Sequence, residues 1–455
     1  MQSGQLAACF PGTIQHRFPE LLPSFARLPD PRKGQGQGKQ YGMDEIMMGG
    51  LSLFLFKEGS RNQLNNDRSD GYFNKHYNRL TGRNLPHMDT VNDVLCDLPY
   101  EKLEQTRMDL MSRLFEQKWL RKYRLLGEYY LVAVDATGVV SFDKPHCEHC
   151  LTKKSKSGKV TYFHYVLEAK LVTEDGHAIS LANEWIENQN PVGEFNKQDC
   201  ERKAFIRLAA KVKKQYPRLP ICILADGLYP YENAFKTCED NGWKFIFVLQ
   251  DGSLKTVQEE LTLTRRSAST ASSCTLQNGW WITGEYKYQN DIEYHKKYTL
   301  NWVQCIENRT KKMEPDKKIP PPPKQTSCFE YVTNILPDKQ NVCEICRGGR
   351  LRWKIENEGF NTQKNNDYEL EHKFCRTSYN ALKNYYSLLQ LAHAINQLIE
   401  KGKQVTAILK SRPKETITNL WKKLKSYFIF CKPVLSGIYG EYDNGYAVNI
   451  RPMLE

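Results

Sequence analysis

Apolar and polar positions alternate with period two through the middle of this chain and recur at helical spacing towards both ends. Leu131-Val-Ala-Val is a β-branched apolar run ending on Asp135, and Ala136-Thr-Gly138 leads from it to Val139-Val140. That pattern predicts a central strand over 129–135 and a hairpin partner over 139–142. A loop at 143–159 precedes a long alternating stretch, 160–173, which turns at Asp175-Gly176. A helical run at 197–215 leads to Leu219-Pro-Ile-Cys-Ile-Leu-Ala-Asp226, a second apolar strand delivering an aspartate, followed by Gly227. A short helix at 230–240 and an apolar strand at 243–249 follow. Three strands, then helix, strand, helix, strand predict an α/β sheet with a hairpin at its front.

On either side the pattern changes. Residues 1–125 read as an all-helical domain: irregular at first, then Gly/Gln-rich after Pro29-Asp-Pro-Arg32, with helical pattern from Asp44. Asp89 or Thr90 is positioned to cap a helix running to Leu98, and Leu103, Met108, Met111, Leu114 and Phe115 repeat along a charged helix over 101–122. Residues 126–250 form the first part of the α/β core. From 251 to 335 the pattern breaks into a β-rich insertion. In it, Ser267–Ser273 reads as low-complexity loop between aromatic alternating pieces at 278–286 and 298–306, and a basic, proline-rich segment spans 309–324. Helix resumes near Asn341 and runs to 366, and residues 336–400 complete the core with an amphipathic helix over 379–399. A basic helical region, 401–455, carries Lys422, Lys423 and Lys425 and ends in an irregular tail.

Composition narrows the partners. In 455 residues, 65 Lys plus Arg outweigh 52 Asp plus Glu, a net charge of +13 that favours polyanions such as DNA. Fourteen cysteines are too dilute for a disulfide scaffold and indicate a reducing interior. The first residues lack the basic start and apolar core of a signal peptide, and the best apolar run, 47–56, is too short to span a bilayer. No membrane partner is expected.

The chemistry lies in carboxylates. Asp135 and Asp226 each end an apolar strand, and sites in α/β sheets form at the carboxyl ends of strands. Two carboxylates brought together repel unless a cation lies between them, and a third is needed to hold a pair of divalent ions. Glu356 and Glu358 are the candidates, pointing about 160° apart on a helix, so only one serves. Glu356 shares a face with Arg352, one turn away, and is the choice here; Arg352 is then the phosphate-holding partner.

These residues carry a resemblance. Asp135 before Thr-Gly, Leu224-Ala-Asp-Gly-Leu-Tyr229 and Arg352-Trp-Lys-Ile-Glu356 resemble the DDE transposases of bacterial insertion sequences, more narrowly the insertion sequence four group. Asp30-Pro-Arg32, Leu85–Thr90, Asn196–Glu201 and Glu369-Leu-Glu-His372 extend the likeness over about residues 25–400. Gly349 stands where the group's helix motif has Tyr, and Gln363 where it has Lys, with Lys364 one residue late. The resemblance implies an RNase H-like mixed sheet with a β-rich insertion. Asp135, Asp226 and Glu356 would hold Mg2+ or Mn2+ for phosphodiester cleavage and strand transfer. The implied partners are the inverted-repeat ends of the element, target DNA and further copies in a synaptic complex. The implied setting is the bacterial cytoplasm, at the nucleoid when bound to DNA. Another RNase H-like nuclease, or a catalytically silent DNA-binding protein, is the rival reading.

A second metal signal is His146-Cys147-Glu-His149-Cys150. Cys147 and Cys150 can give two thiolates to a structural zinc, and His164, His177 or Cys200 would have to complete the shell. Cys343 and Cys346 read as two packed cysteines. Lys153, Lys154 and Lys156 are candidate phosphate contacts, as is Lys364. Trp280 and Trp281 cannot both face the core of a strand. One is expected to pack and the other to be available for stacking on an unpaired base, as in similar enzymes.

Overall fold

A computed structural model of the chain describes residues 2–32, 39–188, 199–277, 280–311 and 325–432. The Gly/Gln-rich stretch at 33–38, the start of the 197–215 helical run, most of the proline-rich segment and the tail from 433 lie outside the described residues. Ten strands are described: β1 Tyr130–Phe142, β2 Leu151–Lys154, β3 Val160–Val172, β4 Ala178–Ile186, β5 Ile221–Ala225, β6 Lys244–Val248, β7 Ser269–Gln277, β8 Trp280–Tyr294, β9 Tyr298–Lys311 and β10 Gln325–Thr333. They form one mixed sheet, in which β3 pairs β1, then β5, β6, β10, β9, β8 and β7 follow in order. Both β2 and β4 pair the far edge of β3. Only β1–β5 and β5–β6 are parallel; the other pairs are antiparallel.

The predicted hairpin after Asp135 is not there. β1 continues through Thr137-Gly138 because β3 offers a partner along its whole length, Val132 opposite Leu171 and Phe142 opposite Tyr162. The glycine is absorbed by a register shift between Gly138 and Val140 instead of a turn. The hairpin is formed one element later by β2 and β3, inside the segment read as loop. β4 carried no strand prediction, and Ser267–Ser273, read as low-complexity loop, falls mostly in the edge strand β7, which is paired along its length with β8. An edge strand needs ladder hydrogen bonds more than an apolar face, so serines and threonines serve there.

The start of the chain is also more ordered than its pattern. Helices Gln2–Arg17 and Leu21–Ala26 form, with Phe10 packed on Phe56 and Trp421 and with Phe18, Leu21 and Phe25 buried. Tertiary burial overrides a weak local signal that includes Pro11 inside the helix. The helix at Met88–Asp97 starts one residue before its expected cap, with His87 accepting from the Asp89 amide. Its last carbonyls, together with that of Leu98, are taken by Asn380 and Asn384 of the long helix Tyr379–Glu400. That helix is buried on nearly every side between the N-terminal helices and β4. The basic helix is Ile417–Phe430; it packs Phe428 on Phe56 and Phe73 and pairs Lys425 with Glu58 and Asp67. No described helix is long and apolar enough to cross a membrane.

Parity along the strands sorts the core. Tyr130, Val132, Val134, Ile221, Ile223 and Phe245 share one hydrophobic cluster. Leu131, Ala133, Cys222, Leu224 and Ile246 share another with Val342, Ile345, Cys346, Ile355 and Phe360. The second cluster is roofed by the segment predicted as one helix over 341–366, which is broken here. It runs as a helix over Val342–Arg350, a turn at 351–352, a wide π-type coil over Ile355–Asn361 and a last turn over Thr362–Asn365.

Candidate carboxylate and metal sites

Ala133 pairs with Leu224 across the parallel β1–β5 ladder. Two residues further on each strand come Asp135 and Asp226, so the register sets them side by side on the face of Ala133 and Leu224. Beyond Ala225 the β5 pairing stops, and Asp226 turns the chain by accepting the Leu228 amide at 2.9 Å. Asp135 Oδ1 accepts the amide of Ala136 at 2.9 Å. Each aspartate is thus oriented by its own backbone.

The broken helical segment lowers Arg352 and Glu356 onto this face. Arg352 Nη1 lies 2.7 Å from Glu356 Oε1 and 3.7 Å from Asp135 Oδ2. Glu358 points elsewhere, pairing with Lys354 at 2.5 Å and lying against Gly176. Of the two glutamates, Glu356 is therefore the one brought to Asp135. Burial pushes the Asp135 carboxyl up to about 7; the charges of Glu356 and Asp226 add to this, and the Ala136 amide and Arg352 oppose it. Arg352 is buried, its Nε has no partner, and its guanidinium lies 4.7 Å from the centre of the Trp353 ring.

One carboxylate was not expected. Glu201 opens the helix Glu201–Gln215, and its pKa is raised by burial and then by the charge of Asp226. Tyr165 and the buried Tyr229 stand beside the same group, and the Tyr229 hydroxyl has no hydrogen-bond partner. Glu201 lies within the stretch 196–201 that carries the resemblance, but no spacing rule in the sequence brings it to Asp226. Only the packing of that helix on β3 and β4 does so.

A Cβ at Gly349 would lie 2.8 Å from ring atoms of Tyr331 on β10 and 3.0 Å from Ile246, so this position admits no side chain. Gln363 is buried, bonded to Gln390 and His393. Lys364 pairs with Glu371 at 2.7 Å.

Two grooves open on the described surface, neither lined by Asp135, Asp226 or Glu356. One, of about 850 Å³, is lined by Tyr165, Glu201, Lys153, Arg202, Glu371 and Lys373. The other, of about 800 Å³, lies between the insertion and the 342–357 segment and is lined by Arg347, Lys354, the half-exposed Trp353 and Glu174, and by Arg309 and Arg350, both paired with Glu307. Lys154 and Lys156 are exposed near the tip of the β2–β3 hairpin. On β8 Trp281 is exposed, whereas Trp280 is partly covered and shares the face of Ile282 and Tyr286, which line the second groove. Cys343 and Cys346 are packed, as expected, Cys343 against the Tyr286 hydroxyl and Cys346 in the core.

The knuckle lies in the connection that follows the carboxyl end of β1. Cys147 Sγ lies 3.8 Å from Cys150 Sγ and 3.5 Å from His164 Nε2, and Cys150 Sγ lies 3.7 Å from the same nitrogen. His146 brings a ring nitrogen within 4.8 Å of the Cys147 and His164 donors. Of the three candidates to complete the shell, His164 is present. His177 is instead bonded to Asp175 and Thr173, and Cys200 is exposed in the first groove. His146, Cys147 and His164 have the composition and spacing to bind a metal ion, with Cys150 beside them. Compared with known proteins, the chain matches no family model, and no curated protein is similar to it.

Proposed function

We propose that this chain is a metal-dependent DNA transposase of the DDE type, acting on the inverted-repeat ends of an insertion element. The observation that supports this reading is that Arg352 lies between Asp135 and Glu356, and that Asp135 feels the charges of both Glu356 and Asp226; the three carboxylates do not all approach within 4.8 Å of one another. The order β4-β3-β1-β5-β6, with only the last two strands parallel to β1, supports an RNase H-like core. β7 to β10 extend it as the insertion.

The donors are oxygen only, and the charges of Glu356 and Asp226 add to burial in raising the Asp135 pKa, so a divalent cation such as Mg2+ or Mn2+ would suit them. A bound pair of such ions supplies an activated water for hydrolysis at the element's end and stabilises the leaving 3'-oxygen. The Ala136 and Leu228 amides each take one oxygen of their aspartate, leaving the second oxygen to a ligand. Arg352 neutralises Glu356 and Asp135 before loading, and its fixed fork suits a non-bridging phosphate oxygen of the DNA afterwards. Lys153, Arg202 and Lys373 on one side, and Arg347, Arg350 and Lys354 on the other, suit the phosphates of double-stranded DNA. Trp280 or Trp281 would stack on an unpaired base at the insertion. Self-association would bring two ends together. The soft donors of Cys147, Cys150 and His164 suit zinc in a structural role.

The test is a cleavage assay on the DNA that flanks the gene, with and without Mg2+. Alanine at Asp135, Asp226 or Glu356 should lower single-turnover cleavage by several orders of magnitude and leave binding to end DNA largely intact. Full cleavage by the Glu356→Ala protein would remove Glu356 from the site and make Glu358 the next candidate.

A further inference from the structure

We propose that His146 is the fourth ligand of a tetrahedral zinc site with Cys147, Cys150 and His164, and that the bound zinc clamps the rim of the first groove. The assignment of the ion is independent of the transposase reading; the effect on DNA rests on it.

Bonds of about 2.3 Å to sulfur and about 2.0 Å to nitrogen give a tetrahedron with sulfur–sulfur edges of about 3.8 Å and sulfur–nitrogen edges of about 3.5 Å. The three observed edges among Cys147, Cys150 and His164, 3.8, 3.5 and 3.7 Å, match that figure, and the His146 donor, which lies within 4.8 Å of those of Cys147 and His164 only, has to close towards Cys150 when the ion binds. They are far too long for a disulfide, whose sulfurs lie about 2.05 Å apart. Two thiolates and two neutral imidazoles cancel the charge of the ion, so the partly buried site would be neutral once two thiol protons have left.

The His146 imidazole is prepared for this role, whereas His164 Nδ1 is buried without a hydrogen-bond partner. His146 Nε2 lies 2.5 Å from the Arg376 carbonyl oxygen and donates to it, which leaves the lone pair on Nδ1. That Nδ1 is buried and has no partner. Phe142 stacks on the His146 ring at 4.1 Å and 7°, and Tyr379 on the His164 ring at 4.2 Å and 20°. His149 faces the other way: Tyr379 stacks on it and Glu187 lies 3.8 Å from its Nδ1. It is no ligand.

The site joins three separate pieces of chain. Cys150 immediately precedes β2, whose Lys153 lines the groove; His164 belongs to β3; and the outer nitrogen of His146 holds the backbone of Arg376. Three residues before Arg376 is Lys373, which also lines the groove and lies 4.8 Å from the centre of the Phe142 ring. An ion at the knuckle therefore holds Lys153 and Lys373 in place across one opening. Without it, only hydrogen bonds and stacking hold them.

Elemental analysis of the full-length protein should find about one zinc per chain. Cobalt exchanged into the wild type should give the strong visible bands of a tetrahedral thiolate site. The Cys147→Ser, Cys150→Ser pair should lose the metal, His146→Ala should weaken its binding at least about tenfold, and His149→Ala should leave it unchanged. Removing zinc with a chelator should weaken binding to a DNA duplex several-fold and steepen protease cutting within 371–377. The Asp135→Ala protein should keep its zinc, which separates failure here from failure at the carboxylates. Absence of zinc together with an octahedral cobalt spectrum would overturn the site. Unchanged zinc affinity in His146→Ala would remove the fourth ligand, and unchanged DNA binding after chelation would overturn the clamp.

Discussion

Replacing Asp135 by asparagine tests the carboxylate cluster without any DNA. In the folded chain the Asp135 carboxyl is raised from its ordinary 3.8 to about 7, burial being the largest cause. An acid with a raised folded pKa holds its proton in the native state while the unfolded chain has already released it. Between about pH 4 and pH 7 the native state therefore binds more protons, so stability falls as pH rises through that window, and the loss is complete above about pH 7. A move from 3.8 to about 7 corresponds to about 4 kcal/mol. Asparagine keeps the acceptor for the Ala136 amide and never ionises. Without divalent cation, Asp135→Asn should exceed the wild type by only about 1 kcal/mol at pH 4.5 and by up to about 4 kcal/mol at pH 8. For cooperative unfolding of a chain this long, with an entropy of roughly 1 kcal/mol per kelvin, that is a Tm difference of about 4 °C. Thermal melts across pH 4.5 to 8.5 measure it directly. Mg2+ at about 100 times its Kd should then stabilise the wild type by about 2.7 kcal/mol and the variant much less. A stability gap that does not change with pH, or equal stabilisation by Mg2+ in both proteins, would refute the argument that Asp135 lies in an under-neutralised cation site.

Two further substitutions probe its neighbours. Arg352→Ala should lower single-turnover cleavage at saturating Mg2+ by roughly 10² to 10³, since the guanidinium is aimed at charge that develops on the phosphoryl group. Recovery to near wild-type rates at high Mg2+ would show that Arg352 only separates Asp135 from Glu356, the two carboxylates it touches. Glu201→Gln should raise the Mg2+ concentration for half-maximal cleavage about tenfold and leave the saturated rate little changed. An unaltered Mg2+ titration would exclude Glu201 from the electrostatics of the site.

What the sequence determined by itself is the set of elements whose burial is written as local pattern. The apolar runs ending on Asp135 and Asp226 are strands because β-branched side chains at successive positions fill both faces of a covered sheet. The pairing of Arg352 with Glu356 is legible for a similar reason: four residues is one helical turn. That Glu356 and Glu358 point apart was likewise a matter of helical direction, and the two do diverge, one to Arg352 and one to Lys354. Other features depend on partners far along the chain. Thr137-Gly138 reads as a turn until β3 is known to run beside it, whereupon it is a bulge in a longer strand. Ser269–Gln277 has no apolar face, so only the ladder offered by β8 makes it a strand. Gly349 shows no reason to be glycine until Tyr331 from β10 fills the space above it. The knuckle is the clearest division. Two thiols three residues apart are visible in the sequence, whereas His164 comes from the neighbouring strand, and the tautomer of His146 is set by a carbonyl 230 residues away. Local spacing determines which side chains share a turn or a face; contacts between distant segments decide which of those side chains meet, because only folding brings their backbones within bonding distance.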